Sequence, residues 1–474
     1  MIRIFAYFIV ALMVLPACAP QPPQQTFRAT PVVVQATAPM VPTATLLPSR
    51  TPTATFSPTP SSTATVTVTP QPSATSTATQ TQPPSPTQPL LSLTPASVIG
   101  APPAITAQAA GLSAVDGWSC GDFPCEDDIE GFLRRIVVPP GFTVSPVGRF
   151  PGQPIQIAYG RDGRLYATVL ENGTRMGAVY ALTDDGSVTR YAGDFVSPVG
   201  LAFQPGTDVL YVSARRTLDS GGVLWRVAPG TAPEIVLDNL PCCFQLVDNQ
   251  PNGMTFGADG WLYLGVGSLT DRAEPPDPRR TQYATLDPLE AAVLRIQPHT
   301  GEVLVYARGI RNPFDLAFNS LGRGYATDQG LLAGPGDRVL ALQLNGHFGF
   351  PYWRLRGCPE CPFAPSDVTV LPDLVSLPDY TLPRGIVAYT GVQFPANYFD
   401  GLFVVLWNGV VGGQRIVRID PGAVPADAGE RAAYMPEPFM TGLIRPIDVT
   451  IAPDGSLVVA DFIYGHVWRV RYSN

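Results

Sequence analysis

One phrase recurs along this chain and restricts its fold more than any other feature. Pro154-Ile155-Gln156-Ile157-Ala158-Tyr159 returns as Pro198-Val199-Gly200-Leu201-Ala202-Phe203, as Pro251-Asn252-Gly253-Met254-Thr255-Phe256 and as Pro313-Phe314-Asp315-Leu316-Ala317-Phe318. A degenerate copy follows at Gly385-Ile386-Val387-Ala388-Tyr389, and the last is Pro446-Ile447-Asp448-Val449-Thr450-Ile451. Behind the copies come glycine turns, among them Asp162-Gly163, Asp259-Gly260, Asp400-Gly401 and Asp454-Gly455, and then a second apolar run. An apolar run, a tight turn and another run make a β-hairpin. Further runs ending in arginine, such as Val223-Leu224-Trp225-Arg226 and His466-Val467-Trp468-Arg469, add strands to several units. About four strands per unit, repeated six times, predict an all-β fold: a six-bladed β-propeller. A β-sandwich would explain strands and turns but not the recurring phrase.

That architecture predicts where side chains far apart in sequence meet. Innermost strands of a propeller begin around a common axis, so the residues just before each proline gather at one mouth of the channel. They are Gln153, Ser197, Gln250, Asn312 and Arg445, with Asn249 and Arg311 one step upstream. Strand entries are often polar merely because they lie in loops. Polar groups converging on one axis nevertheless mark this mouth as the expected ligand site.

The chain divides into three. Residues 1–17 read as a signal peptide: Arg3, a short apolar core from Ile4 to Leu15, then Leu15-Pro16-Ala17-Cys18. That ending resembles a bacterial lipobox, which implies lipidation at Cys18 and an extracytoplasmic, envelope-anchored protein; secretion after a nearby cut is the alternative. Residues 18–113, rich in Thr, Pro, Ser and Gln, lack periodicity and enough apolar surface to offset ordering, so a disordered linker is expected. Residues 114–474 are the propeller. No lysine occurs in the chain, which excludes Schiff-base catalysis and a lysine-bearing P-loop. A net charge of -8 gives no support to nucleic-acid binding.

Six cysteines follow Cys18. Cys120/Cys125 and Cys358/Cys361 are expected as local disulfides, with Cys242/Cys243 either a vicinal bridge or paired elsewhere. Cys358-Pro359-Glu360-Cys361 would be only half a zinc site. Gly117-Trp118-Ser119-Cys120-Gly121 fits the hydrolase nucleophile pattern, but no helix is expected after it, so it is set aside. Of the three histidines, His299 sits in a turn and His466 at the last strand, both read as structural.

A longer series of motifs points to a family. Arg308-Gly309-Ile310-Arg311-Asn312-Pro313-Phe314-Asp315-Leu316-Ala317-Phe318, Thr327-Asp328-Gln329-Gly330, Asn345-Gly346-His347-Phe348-Gly349-Phe350-Pro351, Tyr389-Thr390-Gly391 with Phe394-Pro395, and Trp407-Asn408 with Arg415-Ile416-Val417-Arg418 occur in that order. Together they resemble the glucose/sorbosone dehydrogenase family, six-bladed propellers that oxidise sugars with pyrroloquinoline quinone (PQQ) and calcium. The resemblance runs from about Val137 to Tyr472. It implies that Arg311 and Asn312 contact the quinone and its carboxylates, and that the backbone carbonyls of Gly330 and Leu331 ligate calcium. Gln153, Arg415 and Arg445 are further cofactor candidates from the channel argument alone.

The departure from the family is at its general base. An Asp-His pair is expected before the third inner strand, and this chain has Asp248-Asn249, with Asn249 in the histidine's place. An asparagine has no titratable proton near neutrality. His347 substitutes only if it faces the channel. Three functions follow as expectations: a PQQ- and calcium-dependent oxidoreductase acting on a sugar or polyol and passing electrons to an acceptor; a non-catalytic propeller binding a glycan or envelope partner; and, more weakly, a calcium-dependent lactone hydrolase needing Asp248, Asn249, Asn312 and Asp448 around one metal. The membrane is involved only through the lipid.

Overall fold

Each copy of the phrase folds as the innermost strand of a sheet in the computed structural model of the chain. The structure describes Cys120 and residues 123–171, 173–243, 249–272, 286–332 and 334–473. The proposed signal peptide, Cys18, the linker and Asp248 therefore lie outside the described residues. The innermost strands are Gln153–Tyr159, Leu201–Phe203, Pro251–Phe256, Pro313–Phe318, Pro383–Ala388 and Pro446–Ile451, called here the inner strands of blades 1 to 6. The fifth copy, which looked degenerate, also starts on a proline two residues before the glycine that marked it.

Proline suits the first position because it has no N–H to leave unpaired in a ladder. Just after it the register shifts in five blades, between Pro154 and Ile157, Pro251 and Met254, Pro313 and Leu316, Pro383 and Ile386, and Pro446 and Asp448. A bulge leaves one residue out of the ladder and re-aims its side chain.

Each inner strand pairs antiparallel with the hairpin partner that follows, in blade 1 Leu165–Leu170 and in blade 3 Leu262–Val266. Third and fourth strands complete the blades, as Met176–Leu182 and Val188–Val196 do in blade 1. Blade 6 is completed from the other end of the described sequence. Its fourth strand is Phe142–Arg149, paired antiparallel with His466–Tyr472 from Phe142 opposite Tyr472 to Arg149 opposite His466. The inner strands neighbour one another in the order 1, 2, 3, 4, 5, 6 and back to 1. The ring is closed.

A propeller has no single core. Six apolar clusters lie one at each junction between consecutive sheets, for example Ile155, Val169, Ile447 and Val458 between blades 1 and 6, and Leu224, Met254 and Leu264 between blades 2 and 3. The junction of blades 5 and 6 also takes Phe132 from the helix Ile129–Arg135, which packs on Trp468 and His466. His466 is thus a buried wall residue, its pKa pushed down to about 4 by burial. Disulfides join Cys120 to Cys125, Cys358 to Cys361, and Cys242 to its neighbour Cys243.

Candidate functional site

The proline ends of the inner strands hold an interlocked set of polar side chains. Arg311 is fully buried. Its Nη2 donates to Asp271 Oδ1 at 2.8 Å, its Nε to the Asp271 carbonyl at 3.2 Å, and its Nη1 to the Gln329 carbonyl at 3.3 Å. Asn312 is equally buried. Its Oδ1 accepts from Asn249 N at 3.1 Å and from Asn252 Nδ2 at 2.7 Å, while its Nδ2 donates to Gln329 Oε1 at 3.3 Å. One Asn312 side chain therefore ties blade 3 to blade 4. Gln250 donates to the Ser197 carbonyl at 3.1 Å and accepts from Arg215 Nε, tying blade 2 to blade 3.

Support for this set comes from behind. Asp328 accepts from Asn312 N at 2.8 Å and from Arg338 Nε at 2.8 Å. Arg338, also fully buried, donates on to the carbonyls of Phe348 and Gly309 and to Asp373. Burial of a charge is tolerable only with this degree of pairing. The network holds the turn from Gly309 to Asn312 in place.

Across the mouth, blades 5 and 6 contribute cations and an aromatic ring. Arg445 Nη1 donates to Asn408 Oδ1 at 2.9 Å and to the Trp407 carbonyl at 3.3 Å, with its guanidinium 5.7 Å from the Trp407 ring centre. Arg384 lies 5.8 Å from the same ring and 4.4 Å from that of Phe314. Arg415, half-buried at the start of strand Arg415–Ile419, bonds the Gly413 carbonyl through Nε. Burial holds the Arg445 pKa below its ordinary value, with the Asp461 charge opposing. The guanidinium nitrogens of Arg445 and Arg415 not named here donate to no described residue.

Asn249, which the resemblance sets in the family's base position, is fully buried with φ +48°, and neither polar atom of its side chain has a partner among the described residues. Ser197 Oγ and Asn252 Oδ1 share that condition. Gln153 begins the inner strand of blade 1 opposite Leu170, half-buried. The blade 5 position before its proline is Leu382, so the polar ring is broken there. His347 lies elsewhere: it extends the outermost strand of blade 3 beside Arg308, accepts from Gly349 N at 3.1 Å and stacks on Tyr352. That is the outer edge of the sheet, not the channel. Asp448 lies with Asp315 lower in the channel and accepts from Ile157 N, whereas Asn249 and Asn312 are bonded to each other at the mouth.

The chain also resembles known proteins. A model for a domain of unknown function, DUF7133, matches residues 245–468. An uncharacterized protein of Borreliella burgdorferi is 29% identical over 205 residues, 39% of this chain and 52% of that one; the match spans about half the relative's length. Among solved structures, a putative oxidoreductase (glucose dehydrogenase) of Thermus thermophilus is 20% identical over 69% of this chain and 99% of its own, with TM-score 0.51. The soluble aldose sugar dehydrogenase of Escherichia coli is 16% identical over 70% and 99%, TM-score 0.52. The PQQ domain of Coprinopsis cinerea pyranose dehydrogenase, in holo form, is 17% identical over 71% and 97%, TM-score 0.52. The likeness is one of fold: a sugar-dehydrogenase-type propeller.

Sequence reasoning missed Asp271, the buried partner of Arg311, and the Arg338 support. Asp271 lies outside the repeating phrase. The only signal for Arg338 was its place at the start of a short apolar run.

Do these residues suit PQQ and calcium? Gly330 and Leu331 are buried, and neither carbonyl accepts a hydrogen bond from a described residue. Gly330 N donates to Asp337 Oδ1, and a Cβ there would meet the Pro335 carbonyl oxygen at 2.7 Å. Two adjacent open carbonyls are suitable donors for a hard cation. The unused nitrogens of Arg415 and Arg445 suit carboxylates. Arg311 is already neutralised by Asp271, so its place is in the wall. The donor set fits the group.

Proposed function

We propose that this mouth binds PQQ beside calcium and that the protein is an oxidoreductase acting on a sugar or related polyol. The observation that carries the reading is the pair of open carbonyls, Gly330 and Leu331, on the same mouth as Arg415, Arg445 and Trp407. PQQ, when bound, accepts a hydride from the substrate carbon. Arg445 and Arg415 would hold carboxylates, and the Trp407 ring would give a planar ligand an apolar face. Arg311 and Asn312 fix the floor through Asp271, Gln329 and Asn252, and this rigidity pre-organises the site. Asn249 can donate and accept hydrogen bonds to a sugar hydroxyl but cannot take its proton. On the same reading the propeller works outside the cytoplasm, held by lipid at Cys18.

Asn249 favours one second reading: a propeller that binds a glycan or envelope partner without turnover. Full-length protein supplied with PQQ and calcium separates the two. Aldose-driven dye reduction that disappears in Arg445→Ala supports the oxidoreductase. Absence of both cofactor binding and turnover, with retained glycan binding, rejects it in favour of the second.

A further inference from the structure

Below the mouth, the third residue of the phrase is Gln156, Gly200, Gly253, Asp315, Gly385 and Asp448 in blades 1 to 6, and Gln156, Asp315 and Asp448 line the well there. Three are polar and three are glycine, and the glycines provide the room. A Cβ on Gly385 would stand 2.0 Å from Asp448 Oδ1, and one on Gly253 would stand 2.6 Å from Asp315 Oδ1. Each polar side chain accepts from the backbone of the next blade. Gln156 Oε1 takes Leu201 N at 2.7 Å, Asp315 Oδ2 takes Ile386 N at 2.9 Å, and Asp448 Oδ2 takes Ile157 N at 2.7 Å. These bonds close the seams between blades 1 and 2, 4 and 5, and 6 and 1. Gln156 Nε2 also donates to Asp315 Oδ1, from blade 1 to blade 4 on the opposite side of the ring.

Asp315 and Asp448 are both buried, line the same well and meet blade 5 at consecutive residues, Ile386 and Gly385, and Asp448 Oδ1 has no hydrogen-bond partner among the described residues. Blades 2 and 3 present Gly200 and Gly253 here. Blade 5 presents Gly385, and the guanidinium of its neighbour Arg384 is turned to Phe314 and Trp407. Tyr159 of blade 1 bonds to Arg469 at 3.0 Å. Two buried carboxylates on one well cannot both ionise cheaply, and one proton between them supplies the missing donor. A well of about 400 Å³, lined by all six inner strands, adjoins the pair and gives that proton a route to water.

We propose that Asp315 and Asp448 share one proton and form a latch at the waist of the channel, holding seams 4–5 and 6–1 closed while the proton stays and loosening them when it leaves to solvent. Burial pushes Asp315 up to about 7, and burial together with the facing Asp315 charge raises Asp448 well above the usual carboxylate range. The sign follows. An unfolded aspartate loses its proton near pH 4, whereas in the folded chain burial holds the Asp315 proton to about pH 7 and burial with the facing Asp315 charge holds the Asp448 proton well above the usual carboxylate range. Between those values folding takes up a proton, so stability falls as pH rises.

The test uses the full chain, with thermal unfolding and amide exchange followed from pH 5 to 8.5. Asp448→Asn replaces the shared proton by a permanent N–H donor. The wild-type Tm is expected to fall by at least about 3 °C more than that of Asp448→Asn over this range. In the wild type the amides of Ile157 and Ile386, corrected for intrinsic rates, should lose about tenfold protection over the same range. Parallel Tm curves, or protection of these two amides that does not change with pH, would overturn the latch. If Asp448→Asn does not fold, the wild-type exchange decides alone.

Discussion

At position 249 the mouth carries an amide whose two polar atoms have no partner among the described residues, at the position that the resemblance assigns to a base. An orphaned buried amide costs about 1–3 kcal/mol unless a ligand or water satisfies it. Asn249→His restores a proton acceptor. If PQQ and calcium occupy the site, this variant should raise aldose-dependent dye reduction by about 10²–10⁴-fold, the usual contribution of a general base. No increase in a variant that still binds PQQ would show that the missing base is not what limits turnover. Arg338→Ala acts through other residues: it leaves Asp328 buried without its ion pair and should cost about 3–5 kcal/mol in urea unfolding.

Among the strands, glycine at the third position of the phrase in blades 2, 3 and 5 is a steric requirement. Gly385→Ala would press a methyl group into Asp448, and a loss of about 1–3 kcal/mol measured by denaturant unfolding is expected. Gly163→Ala, at a turn with φ +78° and nothing near the added Cβ, pays only for backbone strain, so it should cost clearly less. The inner strands were legible because they repeat, and so was their convergence at Asn249, Asn312, Gln250 and Arg311. The closing strand Phe142–Arg149 was not, since it carries no copy of the phrase and its partner lies more than 300 residues away. Position 347 was illegible for a similar reason: a two-residue strand added to the outer edge of blade 3 has no pattern of its own. Legibility stopped where residues enter the site from loops, as Asp271 does, or by a juxtaposition that only ring closure creates, as between Asp315 and Asp448.

For the propeller taken together, pH acts through opposed groups of carboxylates. Burial raises Asp315 to about 7 and Asp337 and Asp461 to about 6, so each favours folding less as pH rises from about 4 toward those values. Asp454 works the other way. Its side chain is buried enough to oppose ionisation, but bonds from Ser456 and Arg471 outweigh that and hold it at about 2; its contribution is present above about pH 4 and lost as pH falls through about 2. Maximum stability is therefore expected on the acid side of neutrality, between about pH 4 and 6, as measured by urea midpoints across pH; a maximum above pH 8 would contradict it. The six junction clusters and the closing strand make the ring one cooperative body, and the mouth inherits its rigidity. Calorimetric titration of the full chain with PQQ, with and without calcium, tests the reading of that mouth most directly. Saturable binding that requires calcium and weakens at least about tenfold in Arg445→Ala is expected. No binding, or binding indifferent to both calcium and Arg445, would contradict it.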